Sequence, residues 1–339
     1  MTSVKEFRID ESATETDLGR GAFVFTDDYS VFDWGKMPDE IPQKGESLCT
    51  MGAYNFERLE AAGIPTHYRG VVEDGRTVPL TDVTAPPREM AIDLTQVPDL
   101  PHEGRDYDYD AYHAEATENY LIPLEIVFRN HVPIGSSLRR RTDPADHGLD
   151  FDTWPDEAVD LESPIVEFST KYEESDRYLD RPEAAEIAGA AEIEDLEAVA
   201  REVNRIVTKQ ASSAGLDHQD GKIECLYYQG EIRVADVVGT FDENRFGYEG
   251  TQLSKEVLRQ HHKRTQPEWV DAVDAAKDRA KQEDRADWKS LCEHAPEPLD
   301  PDVLQTARDM YCAGTNAYTG TAHFEAPALS TAIGAVSRL

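Results

Sequence analysis

The sequence predicts an α+β fold of two packed lobes, and three observations carry that expectation. A chain of 339 residues is long enough to bury two cores without disulfide support. Runs rich in β-branched and aromatic residues at 22 to 25, 121 to 130 and 217 to 245 read as strands. Elsewhere apolar residues recur three to five apart, the mark of helices that bury one face. We place the lobe boundary after residue 122, giving an N-terminal lobe (1 to 122) and a larger C-terminal lobe (123 to 339) with a helical extension.

In chain order, Ala22 to Phe25 form the first strand. Leu48, Met51, Phe56, Leu59 and Ala62 then mark a helix that Gly63 and Pro65 stop. Residues 94 to 119 are acidic and turn-rich. Asp106, Asp108 and Asp110 alternate as in a calcium loop, but Ala111 and Thr117 stand where such a loop needs Gly and Glu. A solvated insertion is expected there. The strand at 121 to 130 runs into a turn containing Gly135, Ser136 and Ser137, and a second acidic loop spans 142 to 162. Pro182 opens a helical stretch whose stripe of Leu196, Val199, Ala200, Val203, Ile206 and Val207 ends at Gly215. It should buttress the hairpin that follows. Leu253, Val257 and Leu258 mark a further helix, as do Trp269, Val270 and Val273, and Asp300-Pro301 caps another. The tail from Gly314 carries no readable chemistry.

The hairpin at 217 to 245 is where the chemistry concentrates. Ile223 and Cys225 alternate with Lys222 and Glu224, and the return strand brings Asp236. One face should pack and the other stay charged. A two-residue loop at Gln229-Gly230 would put Glu224 and Asp236 on opposite faces. A three-residue loop at 228 to 230, with Gly230 left-handed, would set Lys222 opposite Asp236 and Glu224 diagonal to it, and we expect that register. Two carboxylates and a lysine on one face, with Asp220 just before, suit a magnesium nucleotide site, because the ion takes one or two carboxylates plus phosphate oxygens. They equally suit a solvated strand face with cross-strand ion pairs.

The net charge is −34, from 68 acidic against 34 basic residues. The acids are spread along the whole chain, so the expected setting is a salt-rich interior, where screening cuts repulsion to a few ångströms. A halophilic enzyme is expected. The same charge argues against nucleic acid as a partner, since phosphate backbones want clustered Lys and Arg. The start has no apolar export core, and nowhere do 18 apolar residues run together, so no membrane span is expected. The four cysteines (49, 225, 292, 312) form no C-x-x-C pair, which fits a reducing cytoplasm.

Asp220-Gly221-Lys222-Ile223-Glu224, then Asp236, then Asp242-Glu243-Asn244-Arg245 resemble the metal and substrate region of the phosphoribosylaminoimidazole-succinocarboxamide synthase (SAICAR synthetase) family. The resemblance continues in family order over roughly residues 20 to 260. Ser30-Val31-Phe32-Asp33 and Ile41-Pro42-Gln43-Lys44-Gly45 resemble "S-x-F-D … I-P-x-K-G", and residues 63 to 67 its "G-I-P-T-H", with His67 read as structural. Pro123, Glu125, Val127, Arg129, Asn130 and Gly135-Ser136 resemble "P-x-E-x-V-x-R-N … G-S". Pro164, Thr170-Lys171 and Ser175-Asp176 resemble "P-x-x-x-x-x-T-K … H-D", with Ser175 in place of His. Val237 follows Asp236 where the family usually has Glu. The Gly-Lys phosphate loop is represented only by Lys5 within Val4-Lys5-Glu6-Phe7-Arg8.

The resemblance implies a SAICAR synthase-like fold, with an antiparallel N-terminal lobe covering ATP and a kinase- or ATP-grasp-like nucleotide cleft between the lobes. It implies a carbon–nitrogen ligase of purine biosynthesis that uses ATP and Mg²⁺ to join L-aspartate to carboxyaminoimidazole ribonucleotide. On the matching positions, Glu224 and Asp236 hold the metal; Lys5, Glu125, Glu224 and Asp236 bind ATP. Asp33, Arg129, Ser136 (or Ser137), Asp176 and Arg245 bind the other substrates, and Lys222, Asp220 and Lys171 form the catalytic set. Partners are these small molecules, with homo-oligomerisation left open. Two rivals stand beside this reading: a kinase-like small-molecule phosphotransferase, and a nucleotide-binding regulator without catalysis.

Overall fold

The computed structural model describes residues 5–173, 176–283, 285 and 287–339. It is mixed α+β, as expected. β1 (Lys5–Glu11) and β2 (Gly19–Phe25) precede α1 (Lys44–Ala61), and β3 (Tyr68–Glu73), β4 (Arg76–Val78) and β5 (Glu89–Leu94) follow it. These five strands form one antiparallel sheet in the order β1-β2-β5-β3-β4. α1 lies against β2, β3 and β5, burying Leu48, Met51, Phe56 and Leu59. It stops where Gly63 takes φ +82°, a conformation open to glycine.

The acidic stretch at 94 to 119 corrects the expectation of a purely solvated insertion. It holds a short β6–β7 hairpin (His102–Glu103, Asp106–Tyr107) and α2 (Tyr109–Ala116). Asp108 caps α2 by accepting from the Ala111 N–H at 2.9 Å. Tyr112 and Ala116 are fully buried. Two buried positions four apart among acidic residues leave too faint a period to read.

The second sheet runs β11-β10-β9-β12-β14-β15, all antiparallel. Its strands are β8 (Asn119–Leu121), β9 (Leu124–Val132), β10 (Val159–Thr170), β11 (Tyr178–Leu179), β12 (Asp217–Tyr228), β13 (Glu231–Ala235), β14 (Asn244–Tyr248) and β15 (Thr251–Leu253). β12 is its axis: the first half pairs with β9 and β14, the second with β8 and β13. α3 (Leu138–Arg141) follows β9, while α4 (Arg181–Ala188) and α5 (Ile193–Ser213) follow β11. The α4–α5 break falls at Gly189, where an added Cβ would lie 2.5 Å from the His113 ring. α5 packs on β12, β9 and β10, and its stripe shares one core with Ile126, Phe128, Ile223 and Cys225. The buttress expected from the sequence is therefore present.

Leu253 ends β15 rather than opening a helix; the helices beyond are α6 (Glu256–Thr265) and α7 (Pro267–Gln282). A 3-10 turn at Lys289–Leu291 leads to α8 (Pro301–Thr319) and α9 (Leu329–Val336). α8 runs unbroken through Gly314, where an added Cβ would sit 2.7 Å from the Phe241 ring. The two sheets touch through a bridge between Thr66 and Val234. Among the described residues, no helix is long and apolar enough to cross a membrane.

Candidate active site

The register of three strands assembles the site. Asp220 of β12 stands opposite Arg129 of β9 on one side and Arg245 of β14 on the other. Arg245 donates to both carboxylate oxygens, from Nε at 2.8 Å and from Nη2, and Arg129 Nη1 lies 3.8 Å away. Two and four residues along, Lys222 and Glu224 share that face. Lys222 Nζ reaches Glu125 at 2.7 Å, Glu224 at 3.2 Å and Glu243 at 3.4 Å, and Lys171 Nζ reaches Glu224 at 2.5 Å. The apolar residues between them face α5. Gly221 is required because a Cβ would meet Asn244 Nδ2 at 1.9 Å and the Phe128 ring at 2.7 Å.

The hairpin register differs from the one expected. Tyr228 pairs with Glu231 and Glu224 with Ala235, so the loop is the two-residue Gln229-Gly230, with φ +49° and +88°. Left-handed residues at both positions give a turn whose twist matches the strands. Lys222 is therefore not opposite Asp236, and regular pleating would have sent Asp236 to the wrong face. Asp236 itself escapes the pleat: it lies just past β13 at φ +59°, a conformation non-glycine residues hold only when their surroundings impose it. The His67 ring, 3.1 Å from the Asp236 carbonyl, and Lys5 on the carboxylate impose it here. Burial pushes His67 down to about 4, so it is neutral and structural, as read from the sequence. Val237 then packs into the core beside Gly52.

Asp236 thus comes within charge reach of Glu224. Burial, then repulsion from Asp236, raise the Glu224 carboxyl against the pull of Lys222 and Lys171. Burial alone would raise Asp236 as well, but Lys5, Lys222 and Lys171 outweigh it and hold that carboxyl low. Lys222, crowded by Glu243, Glu224 and Glu125, is held charged despite its burial. Two oppositely tuned carboxylates among three ammonium groups make a denser charge cluster than an ordinary strand face carries.

Beside them opens a cleft of about 320 Å³, lined by Arg129, Lys222, Arg245, Lys255 and Arg259 with Asp220, Asp242, Glu243 and Glu256. In a chain with twice as many acids as bases, this local excess of cations favours an anionic ligand. Arg129 is buried and held by Glu167 at 2.6 Å and Tyr178 at 3.1 Å. Ser136 does not line the cleft: its Oγ accepts from the Leu138 N–H at 3.3 Å within the turn. Asp33 is exposed at the periphery and pairs with Lys277 at 2.5 Å. Partial enclosure and nearby Asp33 raise the Asp176 carboxyl, while Lys222, Lys171 and Lys277 pull it back. Ser175 lies outside the described residues.

Sequence reasoning missed Lys44, Asp242, Glu243, Lys255 and Arg259. Lys44 is fully buried and donates to Asp242 at 2.6 Å, and Tyr311 of α8 donates to the other oxygen at 2.7 Å. The signals existed: Lys44 stands in the I-P-x-K-G stretch and Asp242 opens D-x-x-R. Only their contact shows that they form one unit.

The SAICAR synthetase family model matches residues 13–276. A protein of Archaeoglobus fulgidus provisionally named phosphoribosylaminoimidazole-succinocarboxamide synthase is 41% identical over 98% of each chain. Among solved structures, SAICAR synthase from Saccharomyces cerevisiae complexed with SAICAR superposes with a TM-score of 0.61 at 21% identity, covering 95% of this chain and 94% of that one. A SAICAR synthetase in complex with ADP superposes with a TM-score of 0.55 at 23% identity, covering 76% and 88%. At those identities the structures speak for the fold, while the sequence matches carry the kinship: this chain belongs to the SAICAR synthetase family.

Proposed function

We propose that the chain is an ATP-dependent ligase that joins the amine of L-aspartate to the carboxylate of carboxyaminoimidazole ribonucleotide, giving SAICAR in purine biosynthesis. The observation that carries this reading is one sheet face with a cluster of cationic side chains and carboxylates at each end. The Glu224–Asp236 pair with Lys5, Lys171 and Lys222 suits a nucleotide, and the cleft at Arg129, Asp220 and Arg245 suits a phosphorylated substrate. Lys222 belongs to both, where a phosphoryl group would pass. Family membership and the ADP and SAICAR complexes of its relatives support the same assignment.

A carboxylate is a poor acyl donor, so it is activated first. The γ-phosphoryl moves from ATP to a carboxylate oxygen of the imidazole nucleotide and ADP leaves. The aspartate amine attacks the acyl carbon, gives up its proton and expels phosphate. The protein positions reactants and neutralises charge. Lys5, Lys171 and Lys222 face the phosphoryl oxygens, with Glu125 orienting Lys222. Asp220 orients Arg129 and Arg245 toward the ribonucleotide phosphate, and Asp33 and Asp176 meet the imidazole side. Phe7 and Ile9, exposed on the Lys5 face of β1, suit the adenine ring.

Glu224 and Asp236 fit a hard divalent cation: Glu224 is buried and Asp236 partly so, and the repulsion that raises Glu224 is what a dication would relieve. When bound, Mg²⁺ would neutralise phosphoryl oxygens of ATP. The five-stranded sheet, within residues 1 to 122, is the part over ATP, although β8 of that span pairs into the second sheet, and residues 123 to 339 carry substrate and metal. The four free cysteines suit a reducing cytoplasm, and the charge of −34 suits a salt-rich one.

The test is ADP release in molar KCl with Mg-ATP, carboxyaminoimidazole ribonucleotide and aspartate, omitting one component at a time and repeating with Glu224→Ala. ADP formed only from the complete mixture, with an absorbing succinocarboxamide product and loss in the variant, is the expected result. ADP formed with an unrelated acceptor would replace the ligase with a phosphotransferase. ATP bound by folded protein but never split would remove catalysis.

A further inference from the structure

Phe32 and Asp33 are consecutive residues at φ +57° and +59°, a left-handed pair that side chains such as Phe adopt only under constraint. The constraint comes from the C-terminal region. Trp269 of α7 packs edge-on against Phe32 at 5.5 Å and Trp34 at 5.6 Å, and Trp288 meets Trp34 at 6.0 Å. Lys289 donates to the Trp34 carbonyl at 2.6 Å. Lys277, on the same helix as Trp269, donates to Asp33 at 2.5 Å, its ammonium 5.1 Å from the Trp288 ring centroid. Three successive residues of the loop are thus each held by the segment from α7 to the 3-10 turn. Lys277, Trp288 and Lys289 all lie past the 13–276 span of the family match.

The Lys277–Asp33 pair has little to do with stability. The Asp33 side chain is 84% exposed, and exposed ion pairs stabilise folded proteins only slightly. Its placement points elsewhere. Lys277 also lies within charge reach of Asp176, which Asp33 repels, so without the lysine the two carboxylates would push apart. We propose that Lys277 is a positioning residue for the imidazole nucleotide: it fixes the Asp33 carboxylate on the constrained loop, and the C-terminal segment thereby sets substrate affinity. This rests on the reading of Asp33 as a substrate contact.

The experiment compares KM for carboxyaminoimidazole ribonucleotide and for ATP in wild type, Lys277→Gln, Lys277→Arg, Asp33→Asn and the Lys277→Gln/Asp33→Asn double variant, with Tm measured on each. Lys277→Gln is expected to raise the ribonucleotide KM about tenfold, leaving the ATP KM within about twofold and Tm unchanged. Lys277→Arg should recover to within about threefold of wild type. The double variant should be no worse than Asp33→Asn alone, because the lysine acts through that aspartate. A normal ribonucleotide KM in Lys277→Gln alongside a raised one in Asp33→Asn overturns this inference and leaves the reading of Asp33 standing. A normal KM in Asp33→Asn removes that reading, and the inference with it. Additive losses in the double variant, or an equal rise in both KM values with a lowered Tm, also overturn it.

Discussion

Replacing Lys44 by Met should be among the most destabilising single changes near the site. Lys44 is fully buried, its partner Asp242 nearly so, and the second Asp242 oxygen is taken by Tyr311. Removing the ammonium leaves a buried carboxylate with one hydrogen-bonding hydroxyl and the charge of Lys255 near it, which costs about 3–5 kcal/mol. Tyr311→Phe removes one charge-assisted hydrogen bond and should cost about 1.5–3 kcal/mol. Urea unfolding, followed by the fluorescence of the four tryptophans and by circular dichroism, reads both. With a slope of about 1–3 kcal/mol per molar, Lys44→Met should lower the midpoint by about 1 M or more. Adding Asp242→Asn should give back about 1–3 kcal/mol, since the stranded charge is gone. The pH dependence has a definite sign. Burial raises the Asp242 carboxyl, but Lys44 and Lys255 outweigh it and hold it below its ordinary value. In wild type its contribution is therefore present above about pH 4 and lost as pH falls through the folded value. In Lys44→Met the carboxyl can protonate instead, so the deficit should be largest at pH 7 and shrink toward pH 4. A deficit under about 1 kcal/mol at pH 7, or one that grows on acidification, would refute the argument.

Three further outcomes follow from the site. Glu224→Gln should cut ligase turnover by more than about 100-fold, because it removes one of two paired carboxylates at the phosphoryl end; steady-state rates on folded protein check it. Gly221→Ala should destabilise by about 1–3 kcal/mol and widen the β12–β14 pairing, since its Cβ would strike Asn244 and Phe128; thermal unfolding measures the loss. Burial lowers His67 and His218 to about 4 from 6.5, so each contributes stability that is complete above pH 6.5 and is lost as pH falls toward 4. The gap is worth roughly 3 kcal/mol per histidine. Denaturation between pH 7 and 4.5 should show that slope, and His218→Gln should flatten it while lowering stability at pH 7.

Much was legible in the sequence because period and spacing are local properties. The alternation through Asp220, Lys222 and Glu224 put three charges on one strand face, and the stripe from Leu196 to Val207 marked the helix behind it. Gly63 and Pro65 stopped α1 where expected. The ordered series of motifs identified the family before any geometry was known. Where a local signal was weak, the reading failed: α2 buries only Tyr112 and Ala116, and its acidic neighbours hid it.

What the sequence could not determine is what distant segments impose on one another. It named Glu224 and Asp236 but derived their shared face from a three-residue turn. The structure has a two-residue turn and rescues the pairing with a left-handed Asp236, held by Lys5 from β1 and by the His67 ring. Lys44, Asp242 and Tyr311 come from three separate parts of the chain and meet only because α8 packs on α1. The helix opened by Asp300-Pro301, read from the sequence only as a helix, supplies Tyr311 to Asp242. Strand faces follow from a two-residue repeat that any local stretch displays. Contacts among charges 200 residues apart, such as Lys44 with Asp242 at a separation of 198, exist only once burial has forced each to find a partner.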